Sequence, residues 1–371
     1  MIPLRSWTEI DLSTFERNLK IIKAKLPAEM QLISVVKADA YGHGLPQIVE
    51  RSLQSGVHSF AVANIQEAYE IKNIGVGWPI LLLGALLPGE EQWIPNSSFI
   101  PTITSYEELE RLNTVSQKQS TISKIHLKID TGMGRIGVWH EHALDFLNHL
   151  SSMNNIKLSG IYTHFSDPVN DPDFTQLQRD RLYGIIKKIK PPKDFLIHSD
   201  NSATFNHSNT TLKTNAVRLG LIQYGINSNN CPLLDLAPTL SFYTKVGVVK
   251  SLPRGTNISY GKKYTLKKDS KIAVLTAGYG DGIPIQYGQN GSVIIHERLC
   301  PILGQITMDQ LVVDASNLEH IQAGDTATII GKEGNNSISI EEVSKKAETI
   351  PWEVLCSITK RVKRIYINSR N

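Results

Sequence analysis

Short apolar runs and amphipathic segments alternate along the amino-terminal two thirds of the chain. Eight of the runs are three to five residues long, and several are rich in Val and Ile, which is typical of strands buried on both faces of a parallel sheet. These runs are Leu32–Val36, Ser59–Ala63, Ile80–Leu83, Phe99–Ile103, Ile125–Ile129, Leu158–Tyr162, Phe195–Ile197 and Ala216–Leu219. Eight strands alternating with helices favour a closed (β/α)8 barrel of the TIM type over an open sheet.

The segments between these runs have the features of helices. The amphipathic ones are Leu45–Leu53, Tyr106–Ser116 and Asp173–Ile189. A further helix, Ser13–Leu26, is predicted before the first strand. Ser13 with Glu16, and Ser105 with Glu108, have the spacing of a capping box, in which the serine begins the helix.

The pattern changes from about Ser241 onward. Glycine and proline now punctuate short apolar runs, and a helical segment returns only at Ser339–Ala347, which opens with another capping-box spacing. The predicted strands are Tyr243–Val249, Ile272–Leu275, Ser292–Ile295, Leu311–Val313 and Thr326–Ile330. We therefore expect a barrel domain over residues 1–235 and a mostly β domain over residues 236–371, with the boundary near Cys231–Pro238.

Composition excludes several classes of protein. The 39 basic and 35 acidic residues give a net charge of +4, which is too small and too evenly spread for a nucleic-acid-binding protein. No apolar run is long enough to cross a membrane, and the first residues do not resemble a secretory signal. Three sparse cysteines, Cys231, Cys300 and Cys356, favour a reducing compartment, the cytoplasm, and the last two are predicted to be buried. His140 and His142 lack a third ligand, so no metal site is predicted.

The first candidate functional residue is Lys37, in the segment Lys37-Ala-Asp-Ala-Tyr41-Gly-His-Gly44. It ends the first barrel strand, and barrel enzymes carry their active sites at the carboxyl ends of their strands. A partly desolvated lysine there has a lowered pKa and can form a Schiff base. The alternative is a solvated lysine in a loop.

Further polar residues follow the later strands. Lys128 and Arg135 flank the fifth strand's glycine-rich loop, where Arg135 could bind a carboxylate. His164 ends the sixth strand. Ser202 and Gly220 follow the seventh and eighth strands, whose loops commonly hold a phosphate in barrel enzymes. A Schiff-base lysine together with a phosphate site is what pyridoxal 5'-phosphate requires.

Six segments in this order resemble the alanine racemase family over nearly the whole chain. They are the Lys37 segment, Lys128-Ile-Asp-Thr-Gly-Met-Gly-Arg135, Asn201-Ser202, Val217-Arg218-Leu-Gly, Ser259-Tyr260-Gly and Thr307-Met308-Asp309-Gln310. The resemblance implies a pyridoxal phosphate barrel joined to a β domain, a homodimer with shared active sites, and interconversion of L- and D-alanine. It also implies a supply of D-alanine for peptidoglycan.

The resemblance assigns roles to individual residues. Lys37 would hold the cofactor and act as one base, and Tyr260 of the other subunit would act as the second base on the opposite face of the substrate. Met308 and Asp309 would line the substrate site, Arg135 would support the substrate carboxylate, and Lys128 is a carbamate in many relatives. The other predicted cofactor-binding residues are Tyr41, His164, Asn201, Ser202, Arg218, Gly220, Leu221 and Trp352.

Some residues depart from the family pattern, and other functions stay open. Trp352 stands where relatives usually carry a tyrosine that reaches the phosphate, and tryptophan offers only its ring N–H. A racemase of another small amino acid, such as serine, would show the same motifs. A decarboxylase of the same barrel type is disfavoured by Arg218, because decarboxylases place an acid there. A barrel-only protein that binds the cofactor without catalysis is disfavoured by the β domain.

Overall fold

The computed structural model describes residues 2–57, 59–205, 214–226 and 234–369. Cys231 and part of the predicted domain boundary lie outside these residues. The strands are β1 (Ser6–Asp11), β2 (Gln31–Val35), β3 (Ser59–Val62), β4 (Ile80–Leu82), β5 (Phe99–Ile103), β6 (Ser123–Asp130), β7 (Val138–Trp139), β8 (Ile156–Tyr162), β9 (Leu196–His198), β10 (Ala216–Leu219), β11 (Leu240–Leu252), β12 (Asn257–Ile258), β13 (Tyr264–Thr265), β14 (Ser270–Leu275), β15 (Ser292–Ile295), β16 (Arg298–Pro301), β17 (Leu311–Asp314), β18 (Thr326–Glu333), β19 (Asn336–Ile338) and β20 (Lys363–Ile367).

The helices alternate with the strands in the first part of the chain and return near its end. They are α1 (Leu12–Lys25), α2 (Lys37–Tyr41), α3 (Leu45–Gln54), α4 (Ile65–Ile74), α5 (Tyr106–Lys118), α6 (Ala143–Ser151), α7 (Pro172–Ile189), α8 (Ile340–Lys346) and α9 (Pro351–Ser357). Short 3-10 turns cover Glu90–Trp93, His140–His142, Leu221–Tyr224, Tyr260–Lys262, Tyr279–Asp281 and Ile285–Gln289. Within the described residues, no helix is both long and apolar enough to span a bilayer.

Eight parallel strands close into a barrel, as predicted. Their order is β5-β4-β3-β2-β10-β9-β8-β6, and β6 pairs with β5 to complete the ring. The eight apolar runs of the sequence correspond to these eight strands. Because all of them run in one direction, the loops that follow their carboxyl ends converge on one face of the barrel.

The second sheet takes strands from both ends of the chain. Its longest strand, β11, pairs antiparallel with β1, and β1 pairs parallel with β20. No strand was predicted before α1, because the buried face of β1 is formed by Ser6, Thr8 and Ile10, and two polar residues hide the alternation of a half-buried strand. The β-rich character of the later part of the chain is confirmed.

The caps of the helices show one difference from the prediction. Ser105 and Ser339 accept hydrogen bonds from the amides of Glu108 and Glu342, as the capping-box spacing predicts. At α1, the cap is instead Asp11, whose Oδ1 accepts from the amides of Ser13 (2.9 Å) and Thr14 (3.1 Å). Ser13 therefore lies within the first turn, and the predicted Ser13 cap is wrong, because an acidic cap two residues earlier had already satisfied the free amides.

The two described cysteines differ in exposure. Cys300 is buried, as predicted, but Cys356 is exposed on α9. The prediction for Cys356 is wrong, because α9 has only seven residues and buries Val354 and Leu355 next to this position.

We expect Asp11→Ala to lower the free energy of unfolding by about 1 kcal/mol, because the substitution frees the first amides of α1. Ser13→Ala is the matched control, and its effect is expected to stay within about 0.5 kcal/mol. Urea unfolding followed by circular dichroism measures both values. A larger loss for Ser13→Ala than for Asp11→Ala would contradict this assignment of the cap.

Candidate active site

A cavity of about 640 Å³ opens at the carboxyl ends of the barrel strands. It brings together eleven of the fourteen residues predicted for the site: Lys37, Tyr41, Lys128, Arg135, His164, Asn201, Ser202, Arg218, Gly220, Leu221 and Trp352. The other three predicted residues, Tyr260, Met308 and Asp309, do not line it. The barrel therefore places side chains from five of its loops around one space, while the β domain contributes Trp352 through α9.

Lys37 is followed by a turn of left-handed helix. Ala38, Asp39, Ala40 and Tyr41 all have φ between 52° and 54°. Such a conformation costs roughly 1–2 kcal/mol per residue for L-amino acids, so it requires support from the surrounding structure. The composition Ala-Asp-Ala-Tyr gives no indication of this geometry.

Two carboxylates hold this turn. Glu67, at the start of α4, accepts from the amides of Ala38 (2.8 Å) and Ala63 (2.7 Å), which joins the turn to the loop after β3. Asp39 accepts from the amide of Leu45 (2.7 Å), at the start of α3. These bonds fix the backbone immediately after Lys37, so the position of its side chain is determined by the fold.

The ammonium group of Lys37 lies in a desolvated site. Burial lowers the pKa of Lys37 below its usual value, and the cation of Arg135 lowers it further, while Glu67 opposes both. A lysine with a lowered pKa has a larger neutral fraction at physiological pH. The predicted chemistry, covalent attachment of a carbonyl compound, requires that neutral amine.

Tyr41 and Gly220 approach each other closely at the far side of the cavity. A Cβ atom built on Gly220 would lie 2.6 Å from the Tyr41 hydroxyl oxygen, so a side chain at this position would displace Tyr41. The amide of Gly220 donates to Ser202 Oγ at 3.0 Å. A hydroxyl, a phenol and backbone amides thus meet between the loops that follow β9 and β10, and these are donors that bind phosphate.

Arg218 lies beneath the cavity and is 3% exposed. Its Nη1 donates to His198 Nδ1 at 2.7 Å, and its Nη2 donates to the Thr163 carbonyl at 2.8 Å and to His164 Nδ1 at 3.1 Å. Burial lowers the pKa of Arg218 only to about 10. Burial, reinforced by the Arg218 charge, lowers the pKa of His164 to about 2. Arg218 therefore remains charged, and the neutral ring of His164 accepts its hydrogen bond.

One member of this group was not predicted. His126 Nδ1 lies 3.0 Å from His198 Nε2, so the hydrogen bonds continue from Arg218 through His198 to His126. His126 stands two residues before Lys128 on β6, and alternation along a strand places His126, Lys128 and Asp130 on one side. That alternation would have indicated His126.

The three predicted residues that do not line the cavity are exposed. Tyr260 is 71% exposed and Met308 is 53% exposed, which are high values for large apolar side chains. Asp309 pairs with Arg361, whose Nη2 lies 2.8 Å from Asp309 Oδ1. Within one chain, none of the three contributes to the cavity.

Comparison with known proteins identifies the family. The family models for the alanine racemase N-terminal and C-terminal domains match residues 10–228 and 239–366. The chain belongs to the alanine racemase family. It is 36% identical to the alanine racemase of Halothermothrix orenii over 98% of this chain and 97% of that protein.

Solved structures of the family agree with this fold. The alanine racemase of Clostridium difficile 630 superposes with a TM-score of 0.91 at 31% identity, over 99% of this chain and 97% of that one. The alanine racemase of Bartonella henselae, solved with covalently bound pyridoxal phosphate, gives a TM-score of 0.90 at 26% identity, over 98% of this chain and all of that one. The predicted fold class and the predicted resemblance are confirmed.

Lys128 is a buried cation in this member of the alanine racemase family. It is 4% exposed, and its Nζ lies 5.8 Å from the centroid of the Tyr162 ring. Burial, together with the cations Arg135 and Arg218, lowers the pKa of Lys128 to about 7. An exposed lysine has a pKa of about 10.4. At pH values between about 7 and about 10.4, Lys128 therefore releases a proton when the chain folds.

This shift predicts a pH-dependent effect of Lys128→Met. Between pH 7 and pH 10 the unfolded chain binds more protons than the folded chain, so the destabilisation due to Lys128 decreases as the pH rises. The stability gained by Lys128→Met is therefore expected to be larger at pH 7 than at pH 9.5. Urea unfolding in buffers free of carbon dioxide measures this difference.

Lys124→Met provides the matched control, because Lys124 is exposed on the same strand. Its effect on stability is expected to be the same at both pH values. An equal gain for Lys128→Met at pH 7 and pH 9.5 would show that the amine is not desolvated.

Proposed function

We propose that this chain interconverts L- and D-alanine with pyridoxal 5'-phosphate bound in the barrel cavity. One observation carries the proposal: a desolvated lysine, a phosphate-sized cradle and a buried arginine face a single cavity. Membership of the alanine racemase family supports it. The product, D-alanine, would serve peptidoglycan synthesis, and the sparse cysteines favour a cytoplasmic location.

The cavity suits the cofactor. A Cβ on Gly220 would lie 2.6 Å from the Tyr41 hydroxyl oxygen, so this hydroxyl and the Gly220 backbone border the same small space. In this proposal, Lys37 binds the cofactor covalently, and the phosphate is held by Tyr41, Asn201, Ser202, Gly220 and Leu221. His164 would pack near the ring, Trp352 would lie near the phosphate, and Arg218 would contact the pyridine nitrogen. When bound, the cofactor withdraws electrons from the α-carbon of the amino acid and makes its proton acidic.

Arg218 sets the electronic character of the site. Its charge is held by acceptors that have no proton to give: the Thr163 carbonyl, His164 Nδ1 and His198 Nδ1. Arginine stays charged, so Arg218 can donate a hydrogen bond to the ring nitrogen but not a proton. A weaker electron sink would limit side reactions and favour return of the proton to the α-carbon.

Two bases, one on each face of the substrate, can racemise it directly. Lys37 Nζ, with its lowered pKa, can hold or release the α-proton on one face. We assign the second face to Tyr260 of the partner subunit. Arg135, at the mouth of the cavity, would bind the substrate carboxylate, and Met308 and Asp309 of the partner subunit would complete the substrate site.

The exposure of the β-domain residues supports a homodimer. Tyr260 and Met308 present large apolar surfaces to solvent within one chain, and a partner subunit would cover them. The barrel domain of one subunit and the β domain of the other would then form each active site. In this proposal the barrel domain ends at residue 235 and the β domain begins at residue 236.

Lys128 is proposed to carry a carbamate. Carbon dioxide reacts with a neutral amine, and the pKa of Lys128, lowered by burial to about 7, provides one at physiological pH. The modification would convert a buried cation into an anion next to Arg135. It would thereby replace repulsion between two cations with attraction, which would orient the guanidinium.

The proposed function is tested by incubating the protein with pyridoxal phosphate and L-alanine in D₂O. We expect D-alanine to appear together with deuterium at the α-carbon, because the abstracted proton exchanges with solvent. Chiral chromatography and NMR measure the two quantities. Exchange without inversion would exclude the two-base assignment, and the absence of exchange with bound cofactor would exclude alanine as substrate.

The same assay with L-serine separates the two candidate substrates. We expect alanine to be racemised with the higher kcat/KM. A higher kcat/KM for serine would identify the chain as a racemase of that amino acid. Trp352, which replaces the usual tyrosine, lies close enough to the cavity to influence this preference.

Complementation between two inactive variants tests the shared site. Lys37→Ala and Tyr260→Phe are each expected to lose most activity as homodimers. In a heterodimer of the two, one site would combine intact Lys37 with intact Tyr260, so about half of the wild-type activity should return. Differently tagged, co-expressed subunits provide the heterodimer, and absence of recovery would place Tyr260 in the site of its own chain.

A further inference from the structure

A buried ion pair lies behind the cavity and outside its lining. Arg179 projects from the middle of α7, and Asp200 stands in the loop that follows β9. The guanidinium makes two contacts with the carboxylate, Nη2 to Oδ1 at 2.7 Å and Nη1 to Oδ2 at 3.3 Å. Arg179 is 5% exposed and Asp200 is 6% exposed. The two planar groups therefore neutralise each other's charge and also fix each other's orientation.

Asp200 is connected to both ends of the proposed cofactor site. It directly precedes Asn201 and Ser202, which belong to the phosphate cradle. Its carbonyl oxygen accepts from the amide of Arg218 at 3.1 Å. Ser199 donates its hydroxyl to Asp200 Oδ2 at 3.1 Å, and its carbonyl accepts from Arg218 Nη2 at 3.3 Å. A shift of Asp200 would thus move the cradle and the ring arginine together.

The neighbouring residues of α7 hold the loop that carries His164. Gln178 donates from Nε2 to the His164 carbonyl at 3.2 Å and accepts from the amide of Ser166 at 3.0 Å. The guanidinium carbon of Arg179 lies 4.5 Å from the centroid of the Phe165 ring. One helix therefore supports the loops after β8 and β9 from behind.

Stability alone does not explain this pair. Removing two charges from water is costly, and apolar residues of similar volume are often as stabilising as a buried ion pair. What an apolar pair cannot supply is a fixed orientation for the loop or a counter-charge for the second buried cation. Asp200 also favours the charged form of Arg218. The Asp200 carboxylate thus pairs directly with Arg179 and acts electrostatically on Arg218.

We propose that Arg179 and Asp200 are positioning residues for pyridoxal phosphate, which fix the phosphate cradle relative to Arg218. This inference rests on the proposed function only in its choice of cofactor. It assigns neither residue a contact with the substrate or the cofactor. It predicts that the geometry of the pair, and not only its charge, determines how tightly the cofactor binds.

Titration of the full-length protein, freed of cofactor, with pyridoxal phosphate tests this inference. We expect Arg179→Met to raise the dissociation constant about tenfold, by analogy with residues that orient metal ligands, whose loss costs about 10- to 100-fold in metal affinity. The absorption band of the bound cofactor should also shift, because Arg218 would no longer be held at the ring nitrogen. A pyridoxal phosphate analogue that lacks the aldehyde oxygen repeats the titration without covalent attachment at Lys37.

Arg179→Lys retains the charge but cannot form two parallel bonds. We expect its dissociation constant to lie between those of wild type and Arg179→Met. This variant keeps the carboxylate paired, so it decides the question even if Arg179→Met does not fold. Lys346→Met is the control, because it removes the ion pair of Lys346 with Glu342 on α8, neither of which lines the cavity, and its affinity should be that of wild type.

Failure of this proposal can be distinguished from failure of the proposed function. A wild-type affinity and absorption band in Arg179→Lys would overturn the proposal, whatever Arg179→Met shows. An equal loss of affinity in Lys346→Met would also overturn it, since the effect would then be one of general stability. If the wild-type chain binds the cofactor but does not racemise alanine, the proposed function fails and the role of the pair stands.

Discussion

The left-handed turn after Lys37 is the constraint on which the candidate site depends. The backbone must reverse within a few residues so that Lys37 faces the cavity while Tyr41 reaches the loop after β10. Residues with Cβ atoms pay a steric penalty for that path. Glu67 and Asp39 supply the bonds that stabilise it. The penalty is concentrated at the position where a fixed amine is required, which is where folded proteins tend to retain strain.

Burial shifts the pKa values of the basic side chains in the site. Lys37, Lys128, Arg135 and Arg218 face one space, and burial together with the neighbouring cations lowers the pKa of both lysines. Arg218 keeps its charge, because its hydrogen bonds end on neutral acceptors and Asp200 lies nearby. The site thus combines two lysines with lowered pKa values and an arginine that stays charged.

The eight barrel strands could be predicted from the sequence. Strands buried on both faces consist of continuous apolar residues, and such runs are recognisable in the sequence. The residues around the cavity could be predicted because they end those strands or belong to family motifs. β1 could not, since Ser6 and Thr8 form its buried face. The left-handed turn could not either, because positive φ in Ala and Tyr is imposed by distant carboxylates. The cap of α1 was predicted wrongly, because both Asp11 and Ser13 could accept from the first amides of the helix. Local spacing does not show which of the two does so.

The position of β1 between β11 and β20 has a consequence for folding during synthesis. Trp7 lies opposite both Tyr243 and Lys363, so residues 6–11 find their partners only after most of the chain has been made. The barrel strands, of which only β2 and β10 pair across a long stretch of sequence, are complete by residue 219 and can assemble earlier. Until the later sheet forms, the first strand has unpaired edges of the kind that promote association between nascent chains. Residues 6–11 are thus made before both of their partner strands and are among the last to be joined to a sheet.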